Sequence, residues 1–413
     1  MPKRPLDDRA GTAATSTPSV ALAAPPSPDV PTPLLGGLTP SQFMRRYWQK
    51  KPLLIRGAIA DVTPPLSRDA LFELACGDDA EARLISQVRG RWSLEHGPFD
   101  LDALPSIKRR EWTLLVQGVD LHDDRARALL ERFRFVPDAR LDDLMISYAT
   151  DGGGVGPHFD SYDVFLLQVH GKRRWRISAQ RDLTLKPGLP LKVLQHFEAD
   201  EEWVLEPGDM LYLPPHIAHD GVAEGECMTC SIGFRAPSAN ELIGQFLYYL
   251  AERGEVAHSQ AGERLYRDPK QAAVAHPAKL PGAMVEELGA ILARLRWTQR
   301  DLVSFLGSYL SEPKSQVVFD APDRPLAEAA FIRRAQASGI RLDNKTALLY
   351  GERTYFINGE ESAFGHSRKW LCELADVRRI EGKRFVTLSA DRSMTALLYE
   401  WYRAGWVRVG AIS

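Results

Sequence analysis

Two kinds of hydrophobic periodicity divide the chain, and one gives way to the other near residue 238. Between about residues 141 and 237, short runs rich in Val, Ile, Phe, Tyr and Trp alternate with Gly and Pro turns. Regular short strands of this kind predict a β-barrel or a double sheet. Beyond that stretch apolar residues recur at helical spacing, as in Leu288, Ile291 and Leu292. The pattern therefore predicts an α+β protein with a barrel followed by helices.

Elements before the barrel carry recognisable start and stop signals. Thr39 is expected to cap a helix that begins at Pro40, and Ser67 to cap a second helix that ends at Gly77. Strand-like runs are predicted at residues 52–56, 83–88 and 112–117. Just after the barrel, Asn240 is expected to cap a helix over residues 241–251.

The last region combines helical patterns with one hairpin signal. The pair Asn358-Gly359 between two strand-like runs predicts a two-residue hairpin turn. Helices are predicted at residues 326–338, 366–376 and 393–404. Helices arranged around a hairpin predict a winged-helix-like domain. The expected division of the chain is a disordered tail (1–33), a barrel domain (34–238), a helical region (239–320) and the winged-helix-like domain (321–413).

The composition and charge favour a globular protein and give no sign of a membrane or nucleic-acid-binding protein. With 413 residues, 44% of them hydrophobic and 26% charged, the chain is expected to form two or three globular domains. A net charge of −2 gives no overall attraction to nucleic acid or to acidic membranes. No stretch reaches the length of a membrane span. The four cysteines fit a reducing cytoplasm, and Cys227 with Cys230 lacks a second pair that would complete a zinc site.

The candidate chemistry follows a glycine-rich stretch at residues 152–156. His158 and Asp160 lie two residues apart on an extended segment, so their side chains point to one face. A second histidine would complete two His and one carboxylate, the ligand set of non-haem Fe(II) oxygenases. His216 and His219 compete for this place, because residues three apart on an extended segment cannot both face inward.

These residues resemble a known family. His-x-Asp, a distal His after Pro214-Pro215, and a basic residue on an intervening strand resemble the JmjC branch of the cupin, 2-oxoglutarate-dependent oxygenases. Residues 143–148, 152–158, 162–165 and 231–237 are similar to the bacterial ribosomal oxygenases, which hydroxylate an arginine of a large-subunit ribosomal protein. The likeness covers about residue 38 to the C-terminus. The family pattern places three residues between Pro-Pro and the distal ligand, which selects His219 and leaves His216 at the rim.

The resemblance implies a fold and a cofactor. The expected fold is a double-stranded β-helix (cupin or jelly-roll) barrel, a JmjC oxygenase domain, joined to a helical dimerisation region and a winged-helix-like C-terminal domain. The expected metal is Fe(II), held by His158, Asp160 and His219, with 2-oxoglutarate and dioxygen as cosubstrates. The implied reaction is hydroxylation of the β-carbon of an arginine in the sixteenth protein of the large ribosomal subunit.

Arg173 is the candidate residue for holding 2-oxoglutarate. It shares strand parity with Trp175 and Ile177, so this face is expected to look into the barrel. A buried guanidinium needs an anionic partner. Either the distal carboxylate of 2-oxoglutarate, through a bidentate pair, or an internal Asp or Glu could supply it. The family carries its basic residue at this place, which favours the cosubstrate. The hydroxyls of three further residues are candidates for additional contacts: Thr229, Ser231 and Tyr148.

Several alternatives stay open at this point. The same iron centre serves histidyl hydroxylases, N-methyl demethylases and enzymes that act on modified RNA. From a different class, a catalytically silent metal-binding cupin would act as an adaptor. A substrate arginine would require a carboxylate and an aromatic surface. Asp151, Asp163 and Asp220 lie near the expected mouth, and none is assigned this role.

Partners are expected from the same patterns. The apolar positions between Val285 and Tyr309 give more apolar helix surface than a linker needs. Such a stripe is buried against the protein's own domains or against a second subunit, and dimerisation of the ribosomal oxygenases through this region favours a homodimer. The candidate recognition helix at 367–376 mixes charge signs, so direct nucleic-acid binding is not expected. The expected partner is a ribosomal protein, and the expected location is cytoplasmic, not membrane-bound.

Overall fold

The computed structural model describes residues 25–252 and 266–410. Its larger part is a nine-stranded antiparallel sheet with the strand order β1-β8-β6-β9-β5-β4-β2-β3, in which β7 also pairs with β6. The nine strands are β1 Leu53–Ile55, β2 Ala82–Val88, β3 Arg91–His96, β4 Trp112–Val116, β5 Leu141–Ala149, β6 Val164–Ser178, β7 Glu201–Leu205, β8 Met210–Leu213 and β9 Ala218–Phe234. This is the predicted cupin barrel.

The two long strands β6 and β9 hold the barrel together. At its start β6 pairs with β8 and at its end with β7, while β9 pairs with β6 on one side and β5 on the other. The register between β6 and β9 shifts between Gln168 and Lys172. Gly171 lies at this irregularity with φ of +61°, and a Cβ there would lie 2.0 Å from the carbonyl oxygen of Glu226. A side chain at this position would therefore push the two strands apart.

The register shift exchanges the faces of β6. Before it, Val164 and Leu166 pack inside the barrel with Leu211 and Leu213. After it, the inward face passes to odd-numbered residues, including Trp175. The strand thus presents residues of both parities to the same interior, which strict alternation along one strand would forbid.

The outer face of the sheet is covered by the N-terminal segment. Three helices lie in this part: α1 Pro40–Arg46, α2 Arg68–Ala75 and α3 Asp124–Glu131. The predicted caps are confirmed: Thr39 forms a capping box with Gln42, and Ser67 caps α2. Phe43 is fully buried, with ring centroids 4.9 Å from Tyr212 and 5.4 Å from Phe165.

The tail expected over residues 1–33 falls largely outside the described residues, which begin at Pro25. Its last part contacts α1. The hydroxyl of Ser41 donates to the carboxylate of Asp29 at 2.9 Å, and the amide of Ser41 donates to the carbonyl oxygen of Pro28. The chain from about Pro28 therefore packs with the barrel domain.

Three helices follow the barrel: α4 Ala239–Glu252, α5 Gly282–Leu292 and α6 Gln299–Ser311. The predicted cap of α4 is wrong by two residues. Ser238, not Asn240, accepts the amide hydrogen of Glu241 at 3.1 Å, and the helix begins at Ala239. The ring of Phe246 on α4 lies 5.3 Å from that of Phe305 on α6, so these two helices pack together.

The C-terminal region has the predicted winged-helix architecture, with two three-stranded sheets. Its elements are α7 Glu328–Ser338, β10 Ile340–Leu342, β11 Leu348–Tyr350, β12 Thr354–Ile357, β13 Glu360–Ala363, α8 Arg368–Val377, β14 Arg379–Ile380, α9 Gly382–Leu388, α10 Arg392–Arg403 and β15 Val407–Val409. Asn358 and Gly359 form the predicted turn, with φ of +50° and +90°. Helix α9 and the short strands β10, β11, β14 and β15 were not predicted.

Helix α6 lies before the boundary predicted at residue 321, and it packs against the C-terminal domain. Gly307 on α6 lies against the ring of Phe356 on β12, where a Cβ would come within 2.3 Å of that ring. Ser304 donates to Glu361 on β13 at 2.8 Å. By these contacts α6 belongs with the C-terminal domain. The sequence alone concealed this because α6 and α5 share the same helical periodicity.

The C-terminal domain is tied to the barrel domain by charged side chains. Arg134 donates to the carbonyl oxygens of Ala375 and Asp376 at the end of α8, at 2.8 and 2.6 Å. Buried Arg378 lies 3.3 Å from Glu131 of α3. The candidate recognition helix α8 therefore has its C-terminal end engaged within the protein. Among the described residues, no helix combines the length and apolar character that crossing a bilayer requires.

Candidate metal centre

The backbone places the two histidines side by side. His158 and His219 exchange both of their amide-to-carbonyl hydrogen bonds, at 2.9 and 2.8 Å, as an isolated antiparallel bridge at the start of β9. The glycine-rich stretch makes this approach possible. A Cβ on Gly154 would lie 2.6 Å from the carbonyl oxygen of Gly221, so only glycine lets the segment lie against β9.

The side chains of His158, Asp160 and His219 converge. One ligand atom from each of them lies within 4.8 Å of the others. His219 Nε2 is 3.6 Å from an oxygen of Asp160, and the two imidazole centroids are 4.2 Å apart. The facial arrangement of two histidines and one carboxylate predicted from the sequence is therefore present in the structure.

Hydrogen bonds fix which nitrogen each histidine offers. Nδ1 of His158 lies 2.8 Å from the carbonyl oxygen of Gly156, and Nδ1 of His219 lies 2.9 Å from that of Ile217. A carbonyl oxygen only accepts, so each Nδ1 carries the proton and each Nε2 keeps a free lone pair. Burial, followed by the nearby His158, lowers the pKa of His219 to about 4. Its imidazole is thus neutral at physiological pH, as a metal ligand must be.

His216, the competing histidine, lies outside this group. It is exposed, adopts a φ of +65°, and its ring centroid is 5.9 Å from that of Phe159. Its amide donates to the carbonyl oxygen of Asp160, which holds the two segments together at the rim. The structure thus places His219 in the triad and His216 at the rim.

The triad opens into a cavity of about 500 Å³. Its apolar wall includes Val164, Leu166 and Trp175 from β6. Its polar residues include Asp142, Asp143, Ser147, Tyr162, Arg173 and Ser231. A cavity that combines an apolar wall with charged and hydroxyl groups can bind a polar small molecule or a charged side chain.

Arg173 has the features of a residue that awaits an anion. Its side chain is only 5% exposed, and its Nε and Nη2 have no hydrogen-bond partner in the described part of the chain. Within those residues no carboxylate forms an ion pair with it, which removes the internal-partner alternative. Its guanidinium carbon lies 5.8 Å from the ring centroid of Trp175. Such a buried charge requires an anionic ligand in the cavity, and a dicarboxylate such as 2-oxoglutarate fits this requirement.

Comparison with known proteins places this geometry in a family. Residues 128–242 match the description of a JmjC domain, and residues 294–408 match that of a ROXA-like winged helix. The chain is 34% identical over 370 residues to the ribosomal protein uL16 3-hydroxylase of Escherichia coli K12, covering 88% of this chain and 96% of that one. The chain belongs to the JmjC-type ribosomal oxygenases.

Two further comparisons support this membership. A probable ribosomal oxygenase of Haemophilus influenzae is 38% identical over 213 residues, 50% of this chain and 52% of that protein. The solved structure of the Escherichia coli ribosomal oxygenase YcfD in complex with cobalt and 2-oxoglutarate superposes with a TM-score of 0.74 at 32% identity, covering 90% of this chain and 98% of that one. The JmjC-type ribosomal oxygenases are Fe(II)- and 2-oxoglutarate-dependent enzymes, and the triad and Arg173 fit both groups.

The three hydroxyl residues expected to contact 2-oxoglutarate have different placements in this oxygenase. Ser231 lines the cavity beside Arg173. Thr229 donates its hydroxyl to the amide oxygen of Gln168 at 2.8 Å, so this group is engaged within the sheet. The expectation for Tyr148 is wrong. Its ring lies in the core on the other face of the sheet, with centroids 5.0 Å from Phe72 and 5.2 Å from Trp112.

The three aspartates considered near the mouth have structural partners. Asp163 is buried and accepts from the hydroxyl of Tyr212 at 2.6 Å. Asp220 pairs with Arg176. The carboxylate of Asp151 accepts the amide of Gly225 at 2.9 Å and pairs with Arg110 at 2.7 Å. None of the three lines the cavity.

The cavity instead contains a carboxylate that sequence reasoning did not assign. Asp143 of β5 is almost fully buried and lines the same chamber as the triad, and so does Tyr162. A signal for Asp143 was present in the sequence. It shares strand parity with Ser147, opposite to the apolar face formed by Leu144 and Ile146. Applying the period-two rule to β5 would have selected Asp143 and rejected Tyr148.

Proposed function

We propose that this oxygenase hydroxylates the β-carbon of an arginine side chain in a large-subunit ribosomal protein, the counterpart of uL16. One observation carries the proposal: the chamber that contains the iron ligands also contains the buried carboxylate of Asp143 and the ring of Tyr162. A carboxylate and an aromatic face are the two partners that a guanidinium group binds best. A neutral side chain would bring the Asp143 carboxylate no opposite charge from the cavity side.

The relatives support the same target. The Escherichia coli relative is named for 3-hydroxylation of uL16, and carbon 3 of an amino acid is its β-carbon. An arginine whose guanidinium reaches a carboxylate at the end of the chamber carries its β-carbon several bonds nearer to the peptide backbone. Binding of the guanidinium group at a fixed place would therefore determine which carbon of the side chain lies next to the metal.

The roles of the residues follow from their positions. His158, Asp160 and His219 would hold Fe(II), and Arg173 would pair with the distal carboxylate of 2-oxoglutarate. The chemistry that these groups supply with dioxygen is insertion of one oxygen atom into an unactivated C–H bond, with succinate and carbon dioxide as the other products. The apolar wall of Trp175 and Leu166 keeps water from the reacting carbon.

The first test is turnover of 2-oxoglutarate. Purified enzyme with Fe(II) is expected to form succinate much faster when fragments of uL16 are added than without them. Fragments in which each arginine is replaced in turn by lysine identify the target, because a lysine lacks the planar fork that pairs with a carboxylate. Stimulation by no fragment would reject the ribosomal substrate while leaving the oxygenase assignment intact.

We also propose that the enzyme is a two-fold homodimer that acts in the cytoplasm, where uL16 is made. Apolar side chains on α5 face solvent in the single chain, with Leu288 55% and Leu292 54% exposed. Helix α4, which precedes α5 in the chain, also exposes Ile243 and Leu247. Large exposed apolar side chains on two helices favour a subunit interface, and the self-complementary partner is a second copy of the same helices.

A further inference from the structure

We propose that Lys314 is a positioning residue that supplies the positive charge by which the carboxylate of Asp143 is held ready for a cationic substrate. The proposal rests on the proposed function, since it assigns the origin of the charge that would receive the arginine. Lys314 lies in the segment after α6, in the C-terminal half of the chain. Lys314, which lies outside the barrel, would thus contribute to the substrate selectivity of the active site inside it.

The two oxygens of Asp143 have different surroundings. Oδ2 accepts the amide of Gly118 at 3.0 Å and lies 3.9 Å from Nζ of Lys314. Oδ1 faces Gly233, where a Cβ would lie 3.5 Å from it. Gly233 lines the active-site cavity. Oδ2 therefore contacts Gly118 and Lys314, whereas Oδ1 faces the active-site cavity.

Lys314 does not reach the chamber itself. It lines a separate cavity of about 100 Å³, together with Thr346 and Lys345 from the C-terminal domain. Asp142 and Asp143 line both cavities, so this dipeptide separates one from the other. Nζ of Lys314 also lies 2.9 Å from Asp142. Lys314 must therefore act through the aspartates and not by touching the substrate.

The local electrostatics make this lysine decisive. Burial raises the pKa of Asp143 to about 6, against the opposing charge of Lys314. Neighbouring Asp142 and Asp120 raise it further, whereas the Gly118 amide lowers it. Without Lys314, the pKa of Asp143 would rise further, and the carboxyl would bind a proton more readily. A protonated acid offers no charge to a guanidinium, so substrate affinity would fall.

The remaining charged groups around Asp143 do not replace Lys314. Arg235, which follows β9, is 3.6 Å from Asp142. Tyr162 lines the same cavity as Asp143, but a tyrosine hydroxyl carries no positive charge in either protonation state. Although burial opposes it, the pKa of Lys314 is raised by Asp143 and Asp142, so the lysine stays charged. Lys314 is the cation closest to Asp143 among the described residues.

The test compares pH profiles of KM for a uL16 fragment in three variants. Lys314→Met removes the charge, Lys314→Arg keeps it, and Lys345→Met is the matched control. Lys345 lines the same small cavity, but its Nζ binds Asp320 at 3.0 Å and the carbonyl oxygen of Val318 at 2.7 Å. Wild-type KM is expected to rise as pH falls through about 6. In Lys314→Met the rise should begin about one to three pH units higher, whereas kcat at saturating fragment changes little.

Lys314→Arg and Lys345→Met are expected to follow the wild-type profile. An unshifted profile in Lys314→Met would overturn the proposal, and so would an equal shift in Lys345→Met, which would indicate a general charge effect. A second measurement needs no substrate: carboxyl ¹³C NMR titration, with the Asp143 signal identified through Asp143→Asn. If no fragment is hydroxylated, the proposed function fails, and this titration still decides the role of Lys314. An Asp143 pKa that stays the same in Lys314→Met would reject it.

Discussion

His158 and His219 are joined by a reciprocal pair of backbone hydrogen bonds, although 60 residues of barrel separate them in the sequence. Each imidazole is in addition fixed by a carbonyl oxygen at its Nδ1. The metal ligands are thus held by backbone contacts that do not depend on the ion. Loss of one ligand should remove the metal without unfolding the barrel.

The first prediction concerns the metal. Replacing His158, Asp160 or His219 with alanine should abolish iron binding and succinate formation, with little change in the thermal unfolding temperature. His216→Ala is the matched control and should keep most of both, because this residue is exposed at the rim. Iron content per protein and succinate release are the measurements. An active His219→Ala beside an inactive His216→Ala would reject the choice of ligand.

The second prediction concerns 2-oxoglutarate. Arg173→Met should raise the KM for 2-oxoglutarate by about a hundredfold or more, because losing one partner of a buried charge pair costs ~3 to 5 kcal/mol. Arg174→Met provides the control. Its neighbouring guanidinium points outward and pairs with Glu202 and Glu224. Equal KM values in wild type and Arg173→Met would mean that another group holds the carboxylate.

The third prediction concerns the substrate cation. Asp143→Asn should raise the KM for a uL16 fragment about 10- to 100-fold, because a hydrogen bond to a charged partner contributes ~1.5 to 3 kcal/mol. The requirement for 2-oxoglutarate should stay nearly unchanged. Asp151→Asn is the control, since that carboxylate pairs with Arg110 away from the cavity. A larger increase in KM from Asp151→Asn than from Asp143→Asn would show that Asp143 is not the carboxylate that binds the substrate.

The fourth prediction concerns assembly. Light scattering at micromolar concentration should give twice the chain mass of 46.2 kDa. Leu288→Glu combined with Leu292→Glu should yield monomers, because it places charges in an apolar interface. Val386→Glu, at a residue 54% exposed on α9, should leave the dimer intact. A wild-type protein that stays monomeric throughout this concentration range would reject the proposed dimer.

The sequence predicted the metal centre because its signal is local. His158 and Asp160 share strand parity within one short segment, and the family pattern around Pro214-Pro215 selected His219. The inward face of Arg173 was also correct. That success depended on counting parity only beyond Gly171, where the register shift had already exchanged the faces of β6. Counting from Val164 would have placed Arg173 outside.

The rest of the site depends on tertiary contacts that no local pattern encodes. Tyr148 is an exception, because strand parity already places it with Leu144 and Ile146 on the face of β5 that packs into the core. The contact between Asp143 and Lys314 joins a barrel strand to a segment after α6. It is fixed by the packing of the C-terminal domain against the barrel, through residues such as Arg134. The cap of α4 was also missed: the sequence predicted Asn240, whereas Ser238 accepts the amide of Glu241.

The central claim is that the iron centre oxidises an arginine carbon, and mass spectrometry of the reacted substrate tests it most directly. After incubation of a uL16 fragment with enzyme, Fe(II), 2-oxoglutarate and ¹⁸O-labelled dioxygen, fragmentation spectra should show one added ¹⁸O atom on a single arginine. NMR of that product should place the hydroxyl on the β-carbon. An added oxygen on histidine, or loss of a methyl group from a methylated lysine, would contradict the account.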